Sequence, residues 1–186
     1  MIKYKNHIVG LKAGISKFVF EMLLSSRSKH IRHFAVKLWG GQISRNVYIS
    51  RGVSIRGCKG LSINEGSIIG PEVLLDGRNG LHIGKNVVIS YQAIVWTMHH
   101  NPNSETFCSA GGSVEIGDYA WICSRSIILP GRNVGKGSVL GSSAILTHDL
   151  PDYEIWAGNP AHKINERENR NLIYKYISKE DYSHLV

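Results

Sequence analysis

Two adjacent histidines, His99 and His100, stand between an apolar segment and a polar run of sequence NPNSETF. A neutral imidazole has an unperturbed pKa of about 6.5, so it can accept a proton from a hydroxyl group at neutral pH. General-base activation of an alcohol is therefore the first chemistry that this pair indicates. The alternative is that both histidines simply begin a polar loop.

The three cysteines, Cys58, Cys108 and Cys123, are far apart and form no C-x-x-C pair. Neither a disulfide framework nor a zinc knuckle is predicted, and a reducing compartment fits. Cys123 is an alternative nucleophile, although direct transfer to an alcohol requires no covalent intermediate. The most apolar run, residues 15–24, is too short to span a bilayer and contains two charged residues, so a cytoplasmic protein is expected.

The positive charge is concentrated at the N-terminus. Residues 1–45 contain nine Lys or Arg and one Glu, whereas the formal net charge of the whole chain is +8. Apolar residues at helical spacing predict two short amphipathic helices: Ile15, Phe18, Val19, Met22 and Leu23, then Ile31, Phe34, Ala35, Leu38 and Trp39. We expect a hairpin that packs on one end of the main domain and exposes its lysines to solvent. In the alternative interpretation, residues 1–42 contact a membrane surface or a lipid-linked acceptor. No nucleic-acid partner is expected.

From residue 43 an aliphatic residue recurs every six positions, with small residues four places further on. This period fits neither a helix nor a long alternating strand, but it fits short strands separated by tight turns. Three such sides form a coil of about eighteen residues, and stacked coils form a parallel β-helix. The aliphatic positions are Ile43, Ile49, Ile55, Ile63, Ile69, Leu75, Ile83, Ile89, Val95, Ile116, Ile122, Ile128, Val134, Leu140 and Leu146.

Three insertions interrupt the repeats, and each follows the third side of a coil. The long one, residues 101–115, begins directly after His100. Past the repeats, residues 172–177 predict a helix, and Ser178 with Asp181 predicts a capping box for a last turn. The expected domains are the basic helical segment 1–42, the β-helix 43–165 and a helical cap 166–186.

One continuous stretch resembles a known family, the hexapeptide-repeat acyltransferases, in the branch of the maltose and galactoside O-acetyltransferases. Its sequence is IGDYAWICSRSIILPGRNVGKGSVLGSSAILTHDLPDYEIWAGNPAHKI. The features that carry the resemblance are the insertion after a Thr-x-x-His, the Trp of YAWI and the closing G-N-P-A. The resemblance implies a left-handed parallel β-helix, acetyl-CoA as co-substrate without a metal, a homotrimer, and a sugar acceptor in polysaccharide biosynthesis.

By this resemblance His100 is the general base, with His99 as the alternate. The repeat favours His100, because His99 occupies a small inward position and His100 the following corner. Trp121 ends the first side of its coil, whereas His100 ends the third side of the coil before. The two can share a site only between subunits, unless Trp121 is simply a core or interface aromatic.

The resemblance also implies that CoA lies in the groove between subunits. The implied CoA-binding residues are Trp121, Ser124, Ser142, Thr147, His148, Asn159, Pro160, His162 and Lys163. Two of them depart from the family, because His148 and His162 replace the usual basic residues. Lys163 or Arg125 is expected to compensate in binding phosphate.

For the acceptor, Asp76 lies on the same side of the triangle as His100, one coil earlier, and its carboxylate can hold a sugar hydroxyl. The alternative is a turn-forming role. Glu105, in the long insertion, is a second acceptor-binding residue. Two other functional classes stay open: a metal-dependent hydratase of the γ-carbonic anhydrase type, using His82, His99 and His100 from adjacent subunits, and a non-catalytic β-helix scaffold.

Overall fold

The computed structural model describes the backbone of residues 2–175 and the side chains of residues 11–175. Two helices, α1 (Ile2–Leu24) and α2 (Lys29–Leu38), precede the strands. The strands are β1 (Gln42–Ile43), β2 (Tyr48–Ile49), β3 (Ser54–Arg56), β4 (Leu61–Ile63), β5 (Ile68–Ile69), β6 (Leu74–Asp76), β7 (Leu81–Ile83), β8 (Val88–Ile89), β9 (Ile94–Val95), β10 (Met98–His100), β11 (Ser109–Gly111), β12 (Val114–Ile116), β13 (Trp121–Ile122), β14 (Ile127–Ile128), β15 (Asn133–Val134), β16 (Val139–Leu140), β17 (Ile145–Leu146), β18 (Glu154–Ala157) and β19 (His162–Glu166).

The short strands stack into three parallel sheets, one on each side of a triangular coil. The first side is β1-β4-β7-β12-β15, the second is β2-β5-β8-β13-β16-β18, and the third is β3-β6-β9-β14-β17; β19 adds antiparallel to β18. Each strand of the coils pairs with the same side of the next coil, as Ile43 pairs with Ile63. Five complete coils and a partial sixth result, and the predicted left-handed parallel β-helix is confirmed.

The six-residue period determines the core. Fourteen of the fifteen aliphatic positions are buried, and the exception, Ile55, is partly buried and packs against the core. Burying each such side chain contributes about 1.5–3 kcal/mol. All ten Val, Ala or Ser residues at the small positions are buried as well, which lets the three sheets approach closely at the corners.

The glycines that follow aliphatic positions serve close approach rather than unusual backbone angles. None of Gly70, Gly84, Gly117, Gly135 and Gly141 has a positive φ. At Gly135, however, a Cβ atom would lie 2.4 Å from the backbone nitrogen of Asp152 in the next coil. Any residue with a side chain at this turn would therefore clash with the backbone of the next coil.

The N-terminal hairpin packs on the first coils, but only a minority of the predicted apolar residues, namely Leu23, Ala35 and Trp39, take part. Phe20, Leu24, Ala35 and Val36 are buried, and the Arg32 Nε donates a hydrogen bond of 2.7 Å to the carbonyl of a residue in β2. Most of the predicted apolar residues lie in solvent instead and are 40–67% exposed: Ile15, Phe18, Met22, Ile31, Phe34 and Leu38. Helix α1 also begins earlier than expected, at Ile2.

All three insertions leave from the corner between the third and first sides, which we call the insertion corner. Residues 57–60 and 77–80 form its short turns, and the long insertion forms an antiparallel ribbon of β10 and β11. The ribbon begins at Met98, earlier than the predicted boundary of 101, because His99 and His100 already pair with its returning strand. The coil resumes at Val114 rather than after residue 115.

The last part of the described chain closes the open end with the antiparallel pair of β18 and β19. Residues 172–175 of the predicted C-terminal helix have no helical structure. The rest of that helix and the capping box at Ser178 and Asp181 lie outside the described residues. Over the part of the chain that is described, neither helix is both long and apolar enough to cross a bilayer.

Candidate active site

A cavity of about 320 Å³ opens at the insertion corner, where the long ribbon leaves the coil. Four successive coils contribute to it, because equivalent positions of stacked coils lie side by side. Its lining residues are Arg56, Arg78, Trp96, Met98, His99, His100, Leu129 and Pro130. The cavity volume is within the range of about 300–1,000 Å³ that small-molecule sites occupy.

His100 is held in a defined tautomer. Its Nδ1 lies 2.8 Å from the carbonyl oxygen of Phe107, on the ribbon loop. Because a carbonyl oxygen can only accept, Nδ1 carries the proton and Nε2 keeps a free lone pair. The Phe107 ring stacks on the imidazole with centroids 4.4 Å apart and planes 9° apart. The side chain that the sequence favours as base is thus fixed by both a hydrogen bond and a ring.

His99 lines the same cavity and is also exposed. Its Nδ1 lies 3.0 Å from the carbonyl oxygen of His100, so its Nε2 also bears the lone pair. It does not occupy an inward position, because Thr97 is the last buried residue before the chain leaves the coil. His99 has no partner from across the ribbon comparable to that of His100 among the described residues, so the geometry favours His100 without excluding His99.

Asp76 is fully buried beneath the cavity rather than exposed in it. Its carboxylate accepts hydrogen bonds from the Arg78 Nε at 2.8 Å, Nη2 at 2.9 Å and backbone N–H at 3.2 Å, and from the Thr97 N–H at 3.2 Å. Burial acts to raise the pKa of Asp76, but these hydrogen bonds outweigh it and hold the pKa below its usual value. The carboxylate is therefore ionised and directed at the protein, and its evident effect is to position Arg78.

Sequence reasoning missed both arginines of the cavity. Arg56 pairs in register with Asp76 of the next coil, and its guanidinium lies over the Trp96 ring at 5.1 Å from the centroid. The sequence could have revealed Arg56, because equivalent corners are twenty residues apart and this offset aligns residues 56, 76 and 96. Glu105 lies exposed in the ribbon loop and is not among the lining residues.

The predicted CoA-binding residues lie at two corners of the same chain and in strand β19. Trp121 begins the second side rather than ending the first, its Nε1 donates to the Ser90 hydroxyl at 3.1 Å, and the residue is 44% exposed. Ser124 and Ser142 follow strands of the second side, as do Asn159 and Pro160, so this group surrounds the corner between the second and third sides. We call it the serine corner.

The remaining residues that were predicted to bind CoA lie outside the serine corner. Thr147 and His148 follow β17 at the insertion corner, and their side chains are 3.0 Å apart. His162 is exposed at the start of β19. Lys163 is already paired, with its Nζ 2.6 Å from Glu166 and 2.9 Å from Glu154, and these hydrogen bonds raise the pKa of its ammonium group. A phosphate at Lys163 has to compete with two carboxylates.

The residues of the competing hypotheses are not assembled in one chain. Burial raises the pKa of the Cys123 thiol, which disfavours the thiolate that a nucleophile requires. His82 lies on the first side, with Nδ1 2.8 Å from the Ser62 hydroxyl, away from the cavity of His99 and His100. Within residues 11–175 no group of three His, Cys, Asp or Glu side chains is arranged to hold a metal ion.

A three-sided β-helix built on a six-residue period, with an imidazole-lined cavity at one corner, defines a hexapeptide-repeat protein. The chain is 30% identical over 136 residues to an Escherichia coli K12 protein that bears the provisional name colanic acid biosynthesis acetyltransferase WcaF, covering 73% of this chain and 75% of that one. The fold matches a maltose O-acetyltransferase from Clostridium difficile 630, with a TM-score of 0.73, 20% identity and coverage of 81% and 83% of the two chains.

A second structure with the same fold is a hexapeptide-repeat acetyltransferase of Vibrio cholerae O1 biovar eltor complexed with acetyl coenzyme A. Its TM-score is 0.75 at 18% identity, with coverage of 83% of this chain and 86% of that one. No family model matches the chain. The similarity to WcaF shows that the chain belongs to the hexapeptide-repeat acetyltransferases. It is therefore an acetyltransferase.

Proposed function

We propose that this protein transfers the acetyl group of acetyl-CoA to a hydroxyl of a sugar in polysaccharide biosynthesis, with His100 as general base. The observation that carries the proposal is the geometry of the His100 imidazole. Its Nδ1 donates to the Phe107 carbonyl, its ring stacks on the Phe107 ring, and its Nε2 keeps a lone pair on the wall of a cavity. The names of WcaF and of the maltose O-acetyltransferase support a sugar acceptor.

In this mechanism the Nε2 of His100 takes the proton of the acceptor hydroxyl as its oxygen attacks the thioester carbonyl. The new C–O bond forms, and the tetrahedral intermediate collapses with cleavage of the C–S bond. The imidazolium then returns the proton to the CoA thiolate, so no net charge is left on the enzyme. The Phe107 carbonyl, which accepts from Nδ1, stabilises the transient imidazolium.

The proposed site is built between subunits of a homotrimer. One copy supplies the insertion corner with His100 and Thr147, and its neighbour supplies the serine corner with Trp121 and Ser142. The support is that these two groups lie at different corners of one chain. A heterologous contact between unlike corners closes into a ring when three triangular prisms pack together.

The test of the base is His100→Ala, with His99→Ala as the matched control. We expect His100→Ala to lower kcat about 10²–10⁴-fold, the usual contribution of a general base, at an unchanged Kd for acetyl-CoA. The His99 variant should retain most activity. Near-wild-type transfer by His100→Ala under saturating acetyl-CoA would contradict the assignment, and loss in the His99 variant alone would transfer the role to His99.

The test of the shared site is complementation. Trp121→Ala and His100→Ala are each expected to be inactive, and an equal mixture that is unfolded and refolded together should recover about a quarter of wild-type activity, because one interface in four combines two intact halves. A mixture no more active than its components, or a monomer in sedimentation, would contradict the trimeric site.

The N-terminal hairpin supports a second part of the proposal, a peripheral contact of residues 1–42 with an anionic membrane at the cytoplasmic face. Seven large apolar side chains of the two helices are exposed beside lysines and arginines: Leu11, Ile15, Phe18, Met22, Ile31, Phe34 and Leu38. Apolar side chains flanked by basic ones bind the interface of anionic bilayers.

We expect the full chain to sediment with vesicles of anionic lipid at low salt, and the double variant Phe18→Asp/Phe34→Asp to remain in the supernatant. The control is Ile164→Asp, an equally exposed apolar residue at the other end of the solenoid. Equal sedimentation of all three proteins would reject the membrane contact. A change of oligomer size in the double variant, without an effect of lipid, would assign these residues to a subunit interface instead.

A further inference from the structure

The geometry points to an acceptor that carries an anionic group: we propose that Arg56 and Arg78 bind a carboxylate or phosphate of the acceptor sugar beside His100. The inference rests on the proposed acetyl transfer and specifies the class of its substrate. Both guanidinium groups line the cavity of the two histidines, and none of its lining residues is an aspartate, a glutamate or an amide side chain.

The hydrogen-bonding side chains of the cavity favour an anion over a neutral sugar. A sugar hydroxyl both donates and accepts, and a site for neutral hydroxyls therefore offers acceptors as well as donors. Guanidinium groups only donate, and the paired N–H groups of Arg match the two oxygens of a carboxylate or phosphate. Among the side chains that line the cavity, the histidine Nε2 atoms are the nitrogen or oxygen acceptors, and one of them is needed for the hydroxyl that reacts.

The buried Asp76 carboxylate beneath the cavity holds the Arg78 side chain in place. Its Nε and Nη2 are bound to the buried carboxylate of Asp76 at 2.8 and 2.9 Å, and its side chain remains 35% exposed. The other amino group, Nη1, has no hydrogen bond to the described residues and stays free to donate to a ligand. A guanidinium anchored on one edge and open on the other loses little side-chain entropy when it binds.

The positive charge of Arg56 is not neutralised by a nearby carboxylate among the described residues. Its guanidinium lies over Trp96, and among residues 11–175 no carboxylate forms an ion pair with it. Since Asp76 neutralises Arg78, the cavity wall keeps one net positive charge when its histidines are neutral. This charge is available to an anionic ligand.

The two arginines also border a second, wider groove of about 730 Å³ beneath α1, together with Phe20, Leu24 and Ile55. They therefore lie where the two spaces meet. An acceptor with its anionic group at the arginines can place one hydroxyl at His100 and extend the rest of the molecule along α1.

The experiment compares three hexoses that differ in one group, namely glucuronic acid, glucose 1-phosphate and glucose, by calorimetry on the full-length protein with saturating CoA. We expect at least one of the anionic sugars to bind about 10-fold or more tightly than glucose. Arg56→Gln and Arg78→Gln should each weaken that binding by about 10-fold and leave the Kd for acetyl-CoA unchanged. The control Arg51→Gln removes an exposed charge of the same coil that does not line the cavity, and it should bind like wild type.

A preference for glucuronic acid identifies a carboxylate as the ligand, and a preference for glucose 1-phosphate identifies a phosphate. The inference is overturned if glucose binds as well as both anions, if neither anion binds up to about 10 mM, or if Arg51→Gln has the same effect as the cavity variants. It is also overturned if the arginine variants weaken the binding of acetyl-CoA and not that of the sugar, because the two arginines then bind the acetyl donor. Acetyl-CoA binding by the wild-type protein separates these results from a failure of the proposed function, which predicts such binding whatever the sugar.

Discussion

Replacing Asp76 with Asn tests whether a buried carboxylate holds the cavity together. The carboxylate accepts four hydrogen bonds, three from Arg78 and one from the Thr97 N–H, and it is fully buried. An amide has a single acceptor oxygen, so in either orientation two of the four donors lose their partner and face an NH2 group. Each lost bond costs about 1–2 kcal/mol, with Arg78 at the lower end because water reaches it, and the total is about 2–4 kcal/mol.

The assay is urea unfolding followed by circular dichroism at one protein concentration, at pH 7 and at pH 3. The hydrogen bonds hold the pKa of Asp76 below its usual value although burial opposes this. A lowered folded-state pKa means that the stabilisation is complete above the unfolded-state pKa of about 3.9 and is lost as the pH falls through the folded-state value. The difference between wild type and Asp76→Asn should therefore be largest at pH 7 and shrink in acid.

The control is Asp152→Asn, which makes the same change of charge at an exposed side chain that accepts one N–H bond, from Lys136 at 2.7 Å. Its amide oxygen can still accept that bond, so we expect a change within about 0.5 kcal/mol. A loss below about 0.5 kcal/mol for Asp76→Asn at pH 7, or an equal loss at both pH values, would refute the charge-dependent role of Asp76.

Two further predictions concern the ribbon and the thiols. Phe107→Ala removes the ring that stacks on His100 but keeps the carbonyl that accepts from it; kcat should fall about 10-fold at an unchanged Kd for acetyl-CoA, and an unchanged kcat would show that the stack does not position the base. In the native protein a thiol reagent should modify the exposed Cys108 at once, whereas Cys58 and Cys123, which are buried and have a raised pKa, should react only in denaturant. Rapid labelling of more than one thiol would contradict the burial of the other two.

The hexapeptide period was sufficient to predict the solenoid, because each side is short and its contacts repeat. An aliphatic residue every six positions leaves one arrangement that buries all of them, and the structure buries fourteen of fifteen. The position of His100 followed from the same counting, since the period ends at Val95 and resumes at Ile116. Local order in a repeat protein involves only neighbouring coils, so local sequence is enough to predict it.

Other features depended on contacts that no period encodes. The helical spacing of Ile15, Phe18 and Met22 predicted an apolar face, yet the coils pack against the adjacent face with Phe20 and Leu24, because docking depends on the shape of the surface beneath. Asp76 was predicted either to hold an acceptor hydroxyl or to form a turn, and only the structure shows that its carboxylate is buried and bonded to Arg78.

The sequence alone thus determined the coil, its core and the corner from which the ribbon leaves, because these follow from burying a strictly repeated apolar pattern. Only the tertiary structure decided which contacts the side chains at that corner make. Arg56, Asp76 and Trp96 are twenty residues apart from one to the next and become neighbours solely through the stacking of coils. The tautomer of His100 depends likewise on the carbonyl of Phe107, which the fold of the ribbon brings within hydrogen-bonding distance.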